Sequence, residues 1–282
     1  MSRQSWVCAS LLLVTAGALF FRIPELTLRP MHADEAVQAV KTGILYDSGE
    51  YKYDPHEHHG PTLYYLAALS MRLGGAAAFA DSTETMFRMV PVLFGAALVL
   101  VLWFLRDALG SAATLVAASL TAISPAMVYY SRYYIQETLL LFFTLAALAA
   151  GWRYLRASSS RKKMSAALAF GVSAGLMHAT KETFVLALAA AAFALCSVAF
   201  VNRRTVTLGK YFDRKTLVVA VVSALLVSVT LFSSFFSNAR GPLDSVLTYG
   251  NYLHRAGGEG IHDHPWHYYL QLLSYYREGR GP

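Results

Sequence analysis

The 282-residue sequence has little charge: 15% of its residues are Asp, Glu, Lys or Arg, against 56% hydrophobic. A soluble domain of this length needs a polar surface that such a composition does not supply. The apolar residues instead fall in long uncharged runs, with a mean hydropathy of +0.41. Cysteine is nearly absent as well. Cys8 and Cys196 both lie inside apolar runs, where a thiol packs as a small hydrophobe, so neither a disulfide framework nor a cysteine zinc site organises the chain. The net charge of +7 does not point to nucleic acid, because the basic residues gather in short segments between apolar runs, as topology signals do. These absences leave an all-α polytopic membrane protein.

Seven apolar runs, at 6–23, 86–105, 112–129, 138–155, 164–180, 183–201 and 216–236, are long enough to cross a bilayer, which takes about 17 to 25 residues. Arg3 and the Ala16-Gly17-Ala18 triplet give the first run the look of a signal peptide. Leu19, Phe20 and Phe21 continue it past that point, so an uncleaved signal anchor is expected. The segment 61–73, PTLYYLAALSMRL, is too short and is interrupted by Arg72. It reads as a juxtamembrane helix with Tyr64 and Tyr65 as interfacial anchors. Parity supports that reading. Arg3, Arg106, the stretch 156–163 and the stretch 202–215 then share one side, which the positive-inside rule makes cytoplasmic together with the N-terminus. An integral plasma-membrane protein is expected.

The same parity gathers four polar features on the outer face: residues 31–60, the turn YYSRYYIQET at 129–138, the pair Lys181-Glu182, and everything after Ser237. Charge near membrane depth is costly, so its convergence marks a candidate site. Polar outer turns that merely snorkel to the interface are the alternative, for Lys181 and Glu182 above all. Of nine histidines, only His178 lies within an apolar run; the other eight are in outward segments. His58 or His59 with His262 or His264, completed by Glu57, are candidate ligands for a divalent metal ion such as zinc. Neither loop has a zinc-binding spacing such as HExxH, and hydrogen-bonding interfacial histidines are the alternative.

Asp34-Glu35 early in the first outer loop, YKYDPHEHHGP leading into a short helix, SRYYIQE after the third run, KET after the fifth and HPWHYYL after the seventh carry a resemblance. In order and spacing they resemble the protein O-mannosyltransferase superfamily, and within it the prokaryotic flippase-activity-associated branch linked to N-glycosylation. The resemblance implies a GT-C type transmembrane helix bundle and a transferase that moves a sugar from a polyprenyl-phosphate donor to an acceptor glycan, lipid or protein on the outer face. Asp34 matches the catalytic acidic position and Glu35 its partner. One carboxylate suffices for an inverting displacement, since it need only take the proton of the attacking acceptor hydroxyl.

Arg132, with a planar fork suited to phosphate, and Lys181, a point charge, are candidates for the donor phosphate. Glu137, Glu182 and Tyr64 join them as donor phosphate or sugar ligands; Glu137 has the alternatives of orienting Arg132 or binding a metal. A snorkelling Arg132 within an aromatic belt is the alternative for that residue. The chain divides into a transmembrane module, 1–236, whose first outer loop is 24–85, and an outer segment, 237–282. Gly-rich turns there lead into an interfacial helix at 264–276. Members of the superfamily continue with further spans, so a truncated chain carrying the catalytic half is expected. A lipid-linked sugar flippase or a non-catalytic flippase-associated subunit are the competing functions; a flippase calls for polar residues deep in several spans, and these are nearly clean of charge.

Overall fold

In hydrocarbon a backbone N–H finds no partner outside its own segment, so an apolar run long enough to cross must close its hydrogen bonds as a helix. The computed structural model describes residues 3–56, 59–201, 213–256, 264–265 and 267–274, and all seven apolar runs are helical in it. The first is α1 (Arg3–Arg22), followed by two helices of the first long loop, α2 (Ala33–Ser48) and α3 (Thr62–Leu73). Next comes α4 (Glu84–Val101), which a 3₁₀ turn and the short α5 (Arg106–Leu109) extend into one 26-residue segment, Glu84–Leu109. The chain returns through α6 (Ser111–Ile123) and α7 (Pro125–Ser131), a pair bent by 57°. Pro125 causes the bend: it has no N–H to continue the ladder, and it holds Ser124 at φ −54°, ψ 125°, outside the helical region. The long helices α8 (Glu137–Leu155), α9 (Ser160–His178), α10 (Phe184–Val201) and α11 (Arg214–Phe232) follow, then α12 (Gly241–Ala256) and α13 (Tyr268–Leu273).

Five of these segments are long and apolar enough to cross a membrane, and the bent α6–α7 pair makes a sixth. The remaining expected crossing, α9, opens on Arg161, Lys162 and Lys163 and is less apolar. It lies against α8 and α11 in the two most extensive helix pairings of the fold. Glycine sets how close α9 and α11 come. A Cβ on Gly171 would land inside the contact distance of Ser223 Oγ and the Ala220 carbonyl, and one on Gly175 would meet the Ala224 carbonyl at 2.6 Å.

The 12-residue α3 is about 18 Å long, well short of a bilayer core of about 30 Å. It is an accessory helix, as expected, but its tyrosines do not anchor an interface. Tyr64 is fully buried and donates to Gln38 Oε1 at 2.5 Å; Tyr65 packs edge-on against Phe235 with ring centroids 5.1 Å apart. Both belong to an aromatic cluster around Tyr51, and a buried phenol with a hydrogen-bond acceptor is better satisfied there than at a lipid boundary.

The segment after α11 is described as far as residue 256; residues 257–260, where the expected Gly-rich turns are densest in glycine, lie outside the described residues. It opens with three left-handed residues, Ser234, Phe235 and Phe236 (φ 51°, 55° and 73°), where Ser234 Oγ donates to the Tyr51 carbonyl. It then forms α12, whose amphipathicity is inverted. Asp244, Ser245 and Thr248 are buried, whereas Leu243, Val246 and Leu247 are at least half exposed. A helix lying in a membrane interface shows this pattern, with its apolar face to lipid and its polar face on the protein. The polar face is well used: Thr248 Oγ1 and Asn251 Nδ2 donate to the Pro55 carbonyl at 2.9 and 3.0 Å.

Candidate functional site

The polar segments converge at one end of the bundle. Thr62 donates its N–H and hydroxyl to the Ala179 carbonyl at 3.0 and 2.7 Å, Lys181 reaches Glu137, and α12 rests on Pro55. The opposite end gathers basic residues. Asp107 accepts there from Trp152 Nε1 at 3.1 Å and pairs with Arg153 at 3.4 Å, and Arg106 lies 3.7 Å over the Trp103 ring.

The N-terminus of α2 decides what the adjacent acids Asp34 and Glu35 do. His32 is the N-cap: its Nδ1 accepts from the Asp34 N–H at 3.3 Å, and its own N–H donates to Glu35 Oε2 at 3.1 Å, a reciprocal capping box. With Glu35 drawn in at the third helical position, Asp34 points about 100° away around the helix. The outcome is a sharp contrast. The Asp34 side chain is 66% exposed, with His32 Nδ1 3.4 Å away, while Glu35 is fully buried.

Every approach to the Glu35 carboxylate is occupied. Arg88 donates Nε to Oε1 at 2.8 Å and Nη2 to Oε2 at 2.9 Å, a bidentate fork from α4. The Tyr134 N–H adds a bond at 2.9 Å and Arg29 one at 3.3 Å. Burial alone raises a carboxyl; here the Arg88 fork and the N–H groups of Tyr134 and His32 outweigh it and hold Glu35 below its ordinary range. The remaining Arg88 donor is taken by the carbonyls of Leu26 and Arg29. Glu35 thus joins the loop before α2, the span α4 and the turn after α7. It is a strut, and its burial does not match the expectation of a catalytic residue beside Asp34.

Beside Asp34 the turn after α7 supplies aromatic and cationic groups. The Arg29 guanidinium lies 5.3 and 4.9 Å from the centroids of Tyr129 and Tyr133, and it donates to the Tyr129 hydroxyl at 3.1 Å. His32 stands 5.8 Å from the Tyr133 ring. Burial first, then the negative charges of Asp34 and Glu35, push the Tyr133 phenol up to about 12. Arg132, just past α7, turns its fork to the carbonyls of Phe21 and Glu25 at 3.3 and 3.2 Å. Arg29, Arg88 and Arg132 line one cavity of about 190 Å³ with Tyr129, Glu25 and Leu26.

The other expected residues divide between a second cluster and the core. Lys181 Nζ reaches Glu137 Oε1 at 2.5 Å, so Glu137 pairs with Lys181 and does not orient Arg132. Its second oxygen, Oε2, is buried with no hydrogen-bond partner among the described residues. Glu182 is buried; it accepts from Tyr53 at 3.0 Å and Tyr252 at 3.4 Å, and His59 Nδ1 lies 2.8 Å from Oε2. Burial opposes its ionisation, yet the His59 and Tyr53 contacts hold it below its ordinary range. Glu182 therefore ties the first loop to α12. Tyr64 lies behind the site, bonded to Gln38 together with Gln136 Nε2 at 2.9 Å. Fully enclosed, it has no surface to offer a donor, which corrects the expectation that it binds one.

The metal expectation falls partly on Glu57, His58 and His262, which lie outside the described residues. Of the others, His59 is engaged by Glu182, and His264 stacks on Tyr268 at 3.8 Å and 10°. Among the described residues no three His, Cys, Asp or Glu side chains come together to hold an ion. Sequence reasoning missed Arg29 and Arg88. Arg88 carried a usable signal, a charge inside an apolar run, which usually marks a tied or functional group; Arg29 carried none beyond its place five residues before Asp34.

Solved structures share this fold. ArnT from Cupriavidus metallidurans bound to undecaprenyl phosphate superposes with a TM-score of 0.69 at 17% identity, over 96% of this chain and 48% of that one. The Pmt1-Pmt2 protein O-mannosyltransferase complex of S. cerevisiae bound to the sugar donor gives 0.60 at 19% identity, over 89% and 34%. The Archaeoglobus fulgidus oligosaccharyltransferase in the apo form gives 0.62 at 18%, over 90% and 34%. The chain thus has the GT-C helix bundle and spans about half the length of these structures or less. No curated protein sequence matches it. The family model described as dolichyl-phosphate-mannose-protein mannosyltransferase matches residues 12–240, most of the chain, and the chain belongs to that family.

Proposed function

We propose that this chain is the catalytic part of a membrane glycosyltransferase that moves a sugar from a polyprenyl-phosphate donor to an acceptor hydroxyl or amide on the outer face. The observation that carries the reading is the division of labour between two adjacent acids: Glu35 is buried and bonded to Arg88, and Asp34 is exposed. Five residues before Asp34, Arg29 lines a cavity together with Arg88 and Arg132. Family membership and the two ligand-bound GT-C neighbours support the donor class.

In this reading the donor phosphate sits against Arg29 and Arg132, with its prenyl chain in the membrane. Asp34 takes the proton of the acceptor as the acceptor atom attacks the anomeric carbon. The bond from that carbon to the phosphate oxygen breaks, the polyprenyl phosphate leaves with the electron pair, and the anomeric configuration inverts. The arginines neutralise the phosphate charge that grows as the bond breaks. Glu137 is the candidate sugar ligand, because its unpartnered Oε2 accepts a hydroxyl while Lys181 holds the other oxygen. The clustering of basic residues at the opposite end supports placing the site outside. Arg22, the other buried arginine of the spans, is committed to the carbonyls of Ala18, Thr121 and Ala122 and to Ser131, which argues against the polar path a flippase needs.

The test is sugar transfer by the full-length protein from a polyprenyl-phosphate-sugar donor. Asp34→Asn keeps the size of the side chain and removes the proton acceptor, so turnover should fall about 100-fold to 10,000-fold with donor affinity preserved. Wild-type turnover in that variant overturns the assignment of the base.

A further inference from the structure

At the basic end, far from Asp34, a groove of about 530 Å³ opens between α8 and α9 and reaches the end of α4. Its inner stretch is apolar, with Phe142, Ala146, Ala149 and Ala169 among its walls; its mouth carries Arg153, Arg156 and Lys162. The groove is amphipathic along its length: from Phe142 to Arg153 it follows α8 for about 16 Å. The mouth lies at the level where aromatic side chains mark a membrane interface, since Trp152, next to Arg153 in the chain, has Arg156 5.9 Å from its ring, and Trp103 has Arg106 at 3.7 Å.

The charge at the mouth is not self-neutralised. Asp107 is the carboxylate that faces it, with Arg153 at 3.4 Å and Arg156 at 3.9 Å, both long contacts between partly exposed groups. Among the described residues, the Lys162 ammonium reaches the Ser158 hydroxyl, at 3.4 Å, and no carboxylate. Three cations against one acid leave an excess of positive charge over an apolar slot. A ligand that matches needs an anionic head and a hydrocarbon tail, in the leaflet that faces the basic end. We propose that this groove binds an anionic glycerophospholipid, its phosphate among Arg153, Arg156 and Lys162 and one acyl chain along the alanine-lined wall between α8 and α9. The site stands independently of the glycosyltransferase reading, because it uses none of the residues near Asp34.

The experiment is native mass spectrometry of the full chain, delipidated in detergent and titrated with phosphatidylglycerol, phosphatidylcholine or inorganic phosphate. Wild type should bind one phosphatidylglycerol about tenfold more tightly than phosphatidylcholine. The double variant Arg156→Gln, Lys162→Gln changes two exposed side chains and should lose that preference. Ala169→Phe keeps the charges and fills the slot, so it should lose phosphatidylglycerol as well. Equal binding of the two lipids by wild type, an unchanged preference in the double variant, or a site filled by inorganic phosphate and indifferent to Ala169→Phe each overturns the proposal. Thermal unfolding of each variant without lipid, unchanged from wild type, separates loss of the site from loss of the fold.

Discussion

Glu35→Gln is the sharpest probe of how the site is built, because it changes one atom in the most heavily bonded side chain there. Gln keeps a carbonyl to accept from Tyr134 or His32 but places an amide N–H₂ where Oε1 or Oε2 met Arg88 at 2.8 and 2.9 Å. The Arg88 guanidinium, 1% exposed, is then a buried charge without its counter-ion. Removing one partner of such a pair costs about 3 to 5 kcal/mol, far more than the net worth of the intact pair, because the surviving charge stays desolvated. The acid dependence follows with a definite sign. The Glu35 carboxyl titrates below its ordinary value of 4.5, so its contribution is complete above that value and is lost as pH falls through the lower, folded value. Thermal unfolding in detergent, followed across pH 3 to 7, is the assay. The variant should melt well below wild type at pH 7, and its Tm should respond less to acid; Glu182, also held low, keeps part of that response. Asp34→Asn in the same assay should melt like wild type, since the Asp34 side chain is exposed. If Glu35→Gln matches wild type in both Tm and acid profile, the strut assignment is wrong and Glu35 returns to consideration as a group that touches the acceptor.

Arg132→Lys keeps the charge and loses the fork, so donor affinity should weaken by about 1 to 3 kcal/mol with the fold intact, measured by donor titration; unchanged affinity would make Arg132 a surface anchor of the α1–α7 contact. A cysteine at Ser82 and one at Gly49 should react with an impermeant reagent from the same side of the membrane, because α3 is too short to cross between them; labelling from opposite sides would break the parity on which the single site rests. Gly171→Ala should lower the Tm without affecting donor binding, because the added methyl meets the Ala220 carbonyl, a backbone atom of α11 that cannot rotate away. An unchanged Tm there would mean that the α9–α11 contact is loose.

The bundle was legible because hydropathy is the property a bilayer selects on: seven runs were marked, and seven helical regions stand there. The convergence of the polar loops was legible too, through parity and charge alone, with no distance needed. What the sequence left ambiguous depends on which way a side chain turns. Asp34 and Glu35 have the same chemistry and adjacent places, and a capping box with histidine in place of the usual serine or threonine decides which faces inward. The partner that fixes Glu35 is Arg88, 53 residues on, and no local pattern joins them. Tyr64 looked like a membrane anchor because an isolated α3 would present it to lipid; packed against α2 it serves Gln38 instead. The helix α12 was hidden by Gly241 and Gly250, although Leu243, Val246 and Leu247 already follow a helical period. Its polarity is inverted for the same reason that the loops converge. The protein side of that interface is where hydrogen-bonding groups gather, over Pro55 and Glu182, and the lipid side is where leucine is at no disadvantage. A histidine-rich stretch invites a metal by composition, but which partner a histidine meets is set by the fold: His59 lies against the buried Glu182 carboxylate 123 residues away, which also accepts from Tyr53 and Tyr252.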